Sequence, residues 1–306
     1  MSRVLSVLLL SGIMSAAALA ADEVKLERKY LTETTGTTHI EASSKQILTI
    51  AGMDLESLSS RFIITTTKTE KRNEEGTLPI VTTIDKLQVN LSLPGGLQLM
   101  FDSGDPDKKA ENALLEPLLE VLRVAAKTKT TMLIDKDNQI KAIEFADNPA
   151  EKVGDDFKSQ FDAEKRKKTA ENEHGTLPDK PVKPGDFWMH TSEADIGGGQ
   201  TLTLETRYEY AGTEQKDGKT LDKITLKTTT VTYAMDPNAK ALLKVKSSEL
   251  KVASSEGTIL FDREKGAAVE SVSKLRITGD MKTEINAMEL PARLDLTLDS
   301  KIVLQP

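Results

Sequence analysis

The proline-rich segment near the middle of the chain constrains the fold more than any other feature. Pro178, Pro181 and Pro184 fall within seven residues. Because proline fixes φ, lacks an N–H donor and restricts the residue before it, this segment cannot lie inside a helix or a central strand. The charged residues upstream favour a helix. Residues 148–183 are therefore predicted to form a helical and proline-stiffened connector between two halves of the chain.

Both halves carry the alternating apolar and polar pattern of half-buried β-strands. Leu87 to Leu93 alternate in this way, and Pro94-Gly95-Gly96 then turns the chain into a further alternating run. Leu202 to Tyr210 and Arg293 to Leu304 repeat the pattern in the second half. We therefore predict a mainly β (α+β) fold, in which residues 22–147 and 184–306 each form a curved antiparallel sheet with one apolar face.

A helix is predicted to cover the first sheet. Its apolar stripe consists of leucines at three- and four-residue spacing: Leu114, Leu115, Leu118, Leu119 and Leu122. Asp105 is a suitable N-cap and Pro106 fits the first turn, so the helix is predicted over residues 105–127. Pro117 lies inside this range and is expected to kink or restart the helix there.

The first 21 residues have the pattern of a secretory signal peptide. Arg3 precedes an apolar run from Val4 to Met14, and Ala18-Leu19-Ala20 supplies small residues for cleavage. The run is too short for a typical transmembrane helix, although an amino-terminal membrane anchor is the alternative. We expect an exported protein of the periplasm or the extracellular space. No transmembrane segment is expected after the signal is removed.

Composition excludes several classes of site and partner. The chain has no cysteine, which excludes disulfides and thiolate metal sites. Its 41 basic and 48 acidic residues give a net charge of −7. Binding to nucleic acid, or to an anionic membrane surface by charge, is therefore not expected.

The sequence contains no common catalytic motif. It lacks a Gly-x-Ser-x-Gly elbow, a His-Glu-x-x-His pair, a phosphate-binding loop and a dinucleotide fingerprint. Three histidines are far apart in the sequence and are predicted to lie on the surface: His39, His174 and His190. Asp102, Asp105 and Asp107 could bind calcium or lie at a helix amino-terminus, and the second is favoured. We predict a non-enzymatic protein without a cofactor or a metal.

Two short segments carry a family resemblance. Lys180 to Trp188 contains Pro-Val-Lys-Pro-Gly-Asp-Phe-Trp, and Glu256 to Asp262 reads Glu-Gly-Thr-Ile-Leu-Phe-Asp. Together they resemble a family of exported bacterial proteins known only as a domain of unknown function, with a Pro-Val-Lys-x-Gly-Asp-x-Trp segment and a Gly-x-Ile-x-Phe-Asp strand. In layout, a curved sheet covered by a helix is also similar to the half-barrel lipoprotein carriers of the bacterial envelope. The resemblance implies no particular reaction.

Apolar residues on these elements form the candidate ligand-binding site. Five side chains are predicted to contact a ligand: Trp188, Tyr208, Phe261, Leu118 and Leu122. The predicted function is a binding scaffold for an apolar ligand, such as a lipid chain, or for an envelope component. The alternative is a structural or interaction module of the envelope or surface with no small-molecule ligand. The leucines could instead fill a dry core, and Trp188 could be a buried anchor of the second sheet.

Overall fold

A computed structural model of the protein describes residues 23–197, 199–236, 244–285 and 288–305, so the predicted signal peptide, residues 1–21, lies outside the described residues. The strands are β1 (Thr34–Ile50), β2 (Met53–Thr69), β3 (Leu78–Leu93), β4 (Leu97–Asp102), β5 (Thr130–Ile134), β6 (Ile140–Phe145), β7 (Phe187–Gly197), β8 (Gln200–Lys216), β9 (Lys219–Met235), β10 (Lys244–Asp262), β11 (Ala267–Ile285) and β12 (Met288–Leu304). The α-helices are α1 (Glu116–Lys127) and α2 (Ala163–His174). Short 3₁₀ turns span Pro94–Gly96, Ala113–Leu115, Pro149–Lys152 and Asp155–Phe161. In this part of the chain, no helix is long and apolar enough to cross a membrane.

The strands of the described residues form one antiparallel sheet of twelve strands. This confirms the mainly β prediction and corrects the prediction of two sheet units. The order is β6-β5-β3-β2-β1-β12-β11-β10-β9-β8-β7, with β4 paired to β3. The two halves join where β1 pairs with β12, from Thr38↔Leu304 to Ile50↔Ala292. Each of these strands would otherwise expose a row of unpaired N–H and C=O groups, and their pairing satisfies both rows.

The register of β12 places apolar residues of both strands on the same face toward each end of this junction. Leu294 lies opposite Leu48 of β1 and is 8% exposed. Asp295 lies on the other face, where Arg276 donates two hydrogen bonds to its carboxylate at 2.7 and 2.9 Å. A shift of one residue would exchange the two faces, so the pairing is strongly specified. The face that carries Leu294 is called the inner face below.

Helix α1 covers the inner face of β3 and β4, as the leucine pattern predicts. Leu115 and Leu119 are buried against Leu87, Leu99 and Phe101 of these strands. Burial of each such side chain stabilises the fold by roughly 1.5–3 kcal/mol relative to exposure. This half of the inner face therefore forms a filled core.

The helix is shorter than predicted. It begins at Glu116 and not at residue 105, because Pro117 occupies its first turn and Asn112 caps the preceding 3₁₀ turn by accepting from the Leu114 N–H. Leu114 is 78% exposed and therefore lies outside the apolar stripe in which it was predicted. Proline thus restarts the helix and does not kink it.

Helix α2 contacts both outermost strands of the sheet, β6 and β7. Ala170 packs against Ile140 and Ile143 of β6, which lie on the inner face. Just beyond the helix, Thr176 accepts a hydrogen bond from the indole N–H of Trp188, on the inner face of β7. A sheet whose two ends meet one helix of 12 residues must curve, and the inner face lies on its concave side.

Strands β9 and β10 are paired over only part of their length. Their pairing runs from Leu226↔Gly257 to Asp222↔Phe261, and beyond Gly257 the strands separate. Gly257 has no room for a side chain, because a Cβ there would lie 2.8 Å from both Leu226 and the Val272 carbonyl oxygen.

After they separate, the strands pack across the curved sheet. Leu202 of β8 and Val231 of β9 pack with Ile277 of β11, which is completely buried although β10 lies between β9 and β11 in the sheet. This second contact encloses the space between β8–β9 and β10–β12.

Candidate ligand-binding cavity

A cavity of about 420 Å³ occupies the space between β7–β9 and β10–β12. Five of the apolar side chains that line it come from five different strands: Leu204, Leu226, Ile259, Leu275 and Ile302. All of them lie on the inner face, as the pairs Tyr208↔Leu226 and Ser271↔Ile302 require. Ile302 is 40% exposed, so the cavity is open to solvent on the side of β12.

Hydroxyl groups make up most of the remaining lining. Thr206 and Thr228 hydrogen-bond to each other at 3.1 Å, and Ser255 Oγ accepts from the Thr228 N–H at 2.8 Å. Ser271 and Ser273 also line the cavity, and neither makes a side-chain hydrogen bond to another described residue. Most of the wall surface is apolar, and its polar groups are these hydroxyls together with three charged residues: Arg28, Glu173 and Lys274.

An apolar cluster closes one end of the cavity. Phe261 and Leu26 are almost fully buried there, packed with Tyr208, Tyr210 and Ile224. Leu26 belongs to the amino-terminal segment 23–33, which a bridge between Val24 and Val182 ties to the connector. The segment thus covers the end of the sheet.

A buried polar chain supports this cluster from behind. The Tyr210 hydroxyl donates to Asp222 Oδ1 at 2.8 Å, and Arg263 Nε donates to Asp222 Oδ2 at 2.6 Å. Burial, together with the hydrogen bond to Asp222, raises the pKa of Tyr210 to about 12. The hydroxyl therefore stays protonated and keeps donating at any physiological pH.

Three of the five predicted site residues come together at this end. Tyr208 and Phe261 line the cavity. Trp188 stacks on Tyr208 with ring centroids 5.8 Å apart, and its indole N–H is bound to Thr176 O at 2.9 Å. Since the ring faces Tyr208 and the cavity wall does not include it, Trp188 supports the site from behind, in agreement with the anchor interpretation.

Leu118 and Leu122 lie elsewhere. Both project from α1 into the cluster on β3 and β4, and neither lines the cavity between β8–β9 and β10–β12. The five predicted residues therefore do not form one site. Nothing in the helical spacing of the leucines distinguishes a ligand wall from a core.

Arg28 is a cavity-lining residue that the sequence analysis missed. It lies in the amino-terminal segment, where Val24 and Leu26 alternate with Lys25 and Glu27 as in a strand. That alternation was the available signal for a buried segment before β1. Arg28 Nη2 donates to the Glu173 carbonyl oxygen at 2.8 Å, while its buried Nε has no hydrogen-bond partner. Burial lowers the pKa of the guanidinium, which nevertheless stays charged.

The structure corrects the prediction that His174 is a surface residue. The Tyr30 hydroxyl lies 3.0 Å from His174 Nδ1 in a partly buried contact. Burial, followed by the nearby Arg28 charge, lowers the pKa of His174 to about 4. His190 is also partly buried, and its Nε2 is enclosed without a partner among the described residues.

A larger groove of about 800 Å³ lies on the opposite face of the sheet. One row of residues crosses it from β4 to β11 and is polar or charged after its first member: Met100, Asn90, Ser60, Ser43, Asp299 and Lys274. At its edge, Asp102 accepts hydrogen bonds from Gln88 Nε2 and the Gly104 N–H. Within the described ranges, no group of three or more metal-ligating side chains is present here or elsewhere. Most residues that line the groove are polar or charged, whereas the surface of the inner cavity is mainly apolar.

Comparisons with known proteins add no assignment. No protein-family model matches the chain, and no curated protein matches it. Among solved structures, it is similar to lipovitellin in a structure of lipid–protein interactions, at 10% identity and a TM-score of 0.44, over 91% of this chain and 26% of that one. An outer-membrane channel from Pseudomonas putida F1 matches at 9% identity and a TM-score of 0.28, over 93% of this chain and 99% of that one. A DUF1329 family protein from Desulfovibrio piger matches at 9% identity and a TM-score of 0.12, over 87% of this chain and 85% of that one.

All three TM-scores are low, so these likenesses establish neither a shared fold nor a shared function. The present chain also corresponds to only about a quarter of the lipovitellin chain, since it covers 26% of it. The family resemblance of the two short segments stays a prediction.

Proposed function

We propose that this protein is a non-enzymatic, exported binding protein that holds the apolar part of a small amphipathic molecule in the inner cavity. The proposal rests on one observation: half of the inner face is covered by α1, whereas the other half encloses a space of about 420 Å³ lined by Leu204, Leu226, Ile259 and Leu275. Small-molecule sites typically have volumes of about 300–1,000 Å³ and mainly apolar walls with a few polar groups.

The chemistry of the two cavities favours the inner one. The outer groove carries negatively charged carboxylates and positively charged ammonium groups, which water solvates well; examples are Glu41, Asp299 and Lys301. The inner wall carries aliphatic and aromatic carbons, and roughly 25 cal/mol is gained for each Å² of apolar surface removed from water. An apolar chain would therefore enter the inner cavity in preference to the groove.

Binding can be tested with an uncharged fluorescent apolar probe, N-phenyl-1-naphthylamine. We expect saturable binding of one probe per protein. Leu118→Ala serves as the control, because it removes an apolar side chain from the α1 cluster and not from the cavity. It is expected to leave the affinity unchanged. Absence of saturable binding to the wild-type protein would contradict the proposal.

The native occupant can be sought by purifying the protein from its host without detergent, extracting it with organic solvent and applying mass spectrometry. A stoichiometric amphiphile is the expected result. An empty protein that also binds no probe, and that co-purifies with an envelope protein, would favour the alternative of an interaction module.

A further inference from the structure

Arg28 brings a positive charge to the end of the inner cavity. Its side chain is one of the walls there, together with Thr176 and Leu177 from the segment that follows α2. The guanidinium makes one hydrogen bond, from Nη2 to the Glu173 carbonyl oxygen at 2.8 Å. Among the described residues, no carboxylate lies within ion-pair distance of it, and its buried Nε has no partner.

A purely structural role accounts for only part of this arrangement. The bond to the Glu173 carbonyl caps the carboxyl-terminal end of α2, where a positive charge is favourable. The Glu173 carboxylate has an oxygen 4.0 Å from Arg166 Nη1 and lies beyond ion-pair distance of Arg28, although its charge favours the charged guanidinium. Glu173 and Lys274 also line the cavity. A buried guanidinium N–H without an acceptor costs free energy comparable to a lost hydrogen bond. The cap therefore leaves the donor capacity of Arg28 largely unused.

We infer that Arg28 binds the anionic head group of the ligand, so that the cavity takes a single-chain amphiphile with a carboxylate or phosphate end. Arginine presents its N–H donors as a planar fork that matches both of these oxyanions. The hydroxyls of Thr206, Ser271 and Ser273 line the path of the chain, and the aliphatic residues of β8 to β11 surround it. This inference rests on the proposed function and specifies its ligand class.

The volume gives a starting length for the chain of the probe. At ~30 Å³ for each water-sized group, a cavity of about 420 Å³ holds roughly fourteen such groups (420/30). Dodecanoate, with about fourteen non-hydrogen atoms, is therefore a suitable probe. Dodecyl phosphate offers the second head group, and 1-dodecanol offers the same chain without a charge.

The test measures displacement of N-phenyl-1-naphthylamine by each of the three amphiphiles at pH 8, with wild-type protein and two variants. The two anions are kept below their micellar concentrations and the alcohol below its solubility limit. Arg28→Gln removes the guanidinium that is proposed to bind the anionic head group. Lys29→Gln removes one positive charge from the next residue, whose Nζ donates to the Arg263 carbonyl oxygen outside the cavity. Thermal unfolding of both variants monitors the loss of the α2 cap.

We expect one or both anions to bind the wild-type protein about tenfold more tightly than the alcohol, since a hydrogen bond to a charged group is the stronger kind. Arg28→Gln should abolish this preference while keeping alcohol binding, and Lys29→Gln should retain it. The tighter anion identifies the head group. Equal binding of anions and alcohol, or a preference that survives Arg28→Gln, would overturn the inference but not the proposed function. Failure of the probe and all three amphiphiles to bind would overturn both.

Discussion

The two halves of the inner face carry similar apolar patterns but differ in what covers them. On β3 and β4, leucines of α1 pack onto Leu87, Leu99 and Phe101, and the space is filled. On β8 to β12, the strands themselves curve over, and they touch at the Ile277 and Phe261 clusters with a cavity left between. The strands pack tightly at these two clusters but leave a space between them, whereas the leucines of α1 fill the space over β3 and β4. The difference teaches that the covering element decides whether an apolar strand face becomes core or cavity.

The largest expected effect is in the half covered by α1. Leu119 is 1% exposed, so Leu119→Ala should lower the free energy of unfolding by about 2–5 kcal/mol, through lost burial and the cavity left behind. Urea denaturation measures the change. Binding of N-phenyl-1-naphthylamine to the folded variant should be unaffected.

Leu114→Ala is the matched control on the same stretch of chain. Since Leu114 is 78% exposed, its truncation should change the free energy of unfolding by less than about 0.5 kcal/mol. Equal costs at the two leucines would mean that α1 does not pack as described, and the contrast between a filled and an unfilled half would be lost.

The cavity half should depend on its buried polar chain. Asp222 is 2% exposed and accepts from both Tyr210 and Arg263, so Asp222→Ala should lower the free energy of unfolding by about 2–3 kcal/mol. Probe affinity should fall as well, because the closed end of the cavity loosens. Glu214→Ala, which breaks the exposed pair with Lys223, should have a far smaller effect. A similar loss in both variants would show that the polar chain has no special role.

The stability of the region around the end of α2 should decrease in acid because of His174. Its pKa in the folded protein is about 4, below the ordinary value of 6.5, so the folded state holds the neutral ring. Above about pH 6.5 the ring is neutral in both states, so His174 does not favour unfolding. As the pH falls from 6.5 toward 4, the ring binds a proton in the unfolded chain but not in the folded protein, and the folded state therefore loses stability.

Between pH 7 and pH 4.5, the wild-type protein should therefore lose about 1–2 kcal/mol more stability than His174→Gln, allowing for partial exposure of the ring. Urea denaturation at the two pH values measures this difference. Parallel losses in both proteins would show that His174 titrates as it does in the unfolded chain.

A small effect on stability, with a large effect on binding, is expected from filling the cavity. Ser271 lines it without a side-chain hydrogen bond to a described residue. Ser271→Leu should change the free energy of unfolding by less than about 1 kcal/mol, since the added carbons occupy empty space and are not forced into a packed core. Probe affinity should fall at least about tenfold. An unchanged affinity would place the probe elsewhere.

Strand patterns and local turns could be predicted well from the sequence. Alternation identified the faces of β3, β8 and β12, and Asp217-Gly218 provides the positive φ angles of the β8–β9 hairpin turn. Helix α2 and the proline-rich segment, which is irregular chain, lie between β6 and β7. These features depend on neighbouring residues, which a sequence shows directly.

The pairing of β1 with β12 and the cavity could not be predicted, because both depend on contacts between residues far apart in the chain. Ile302 illustrates the limit: its alternation placed it on the inner face, which is correct, yet it is 40% exposed, and alternation alone does not predict exposure on that face. Leu118 shows the converse, since a stripe that could have lined a ligand site lies in the α1 cluster. Arg28 escaped notice because the short segment that carries it forms only a single β-bridge.

The most direct test of the central claim is a measurement of nuclear Overhauser effects between the chain hydrogens of dodecanoate and the methyl groups of methyl-labelled protein. The account predicts contacts from the chain to the methyl groups of Leu204, Leu226, Ile259 and Leu275, and none to those of Leu99 and Leu119. Contacts to the α1 cluster, or saturable binding without contacts to the four cavity methyls, would contradict it.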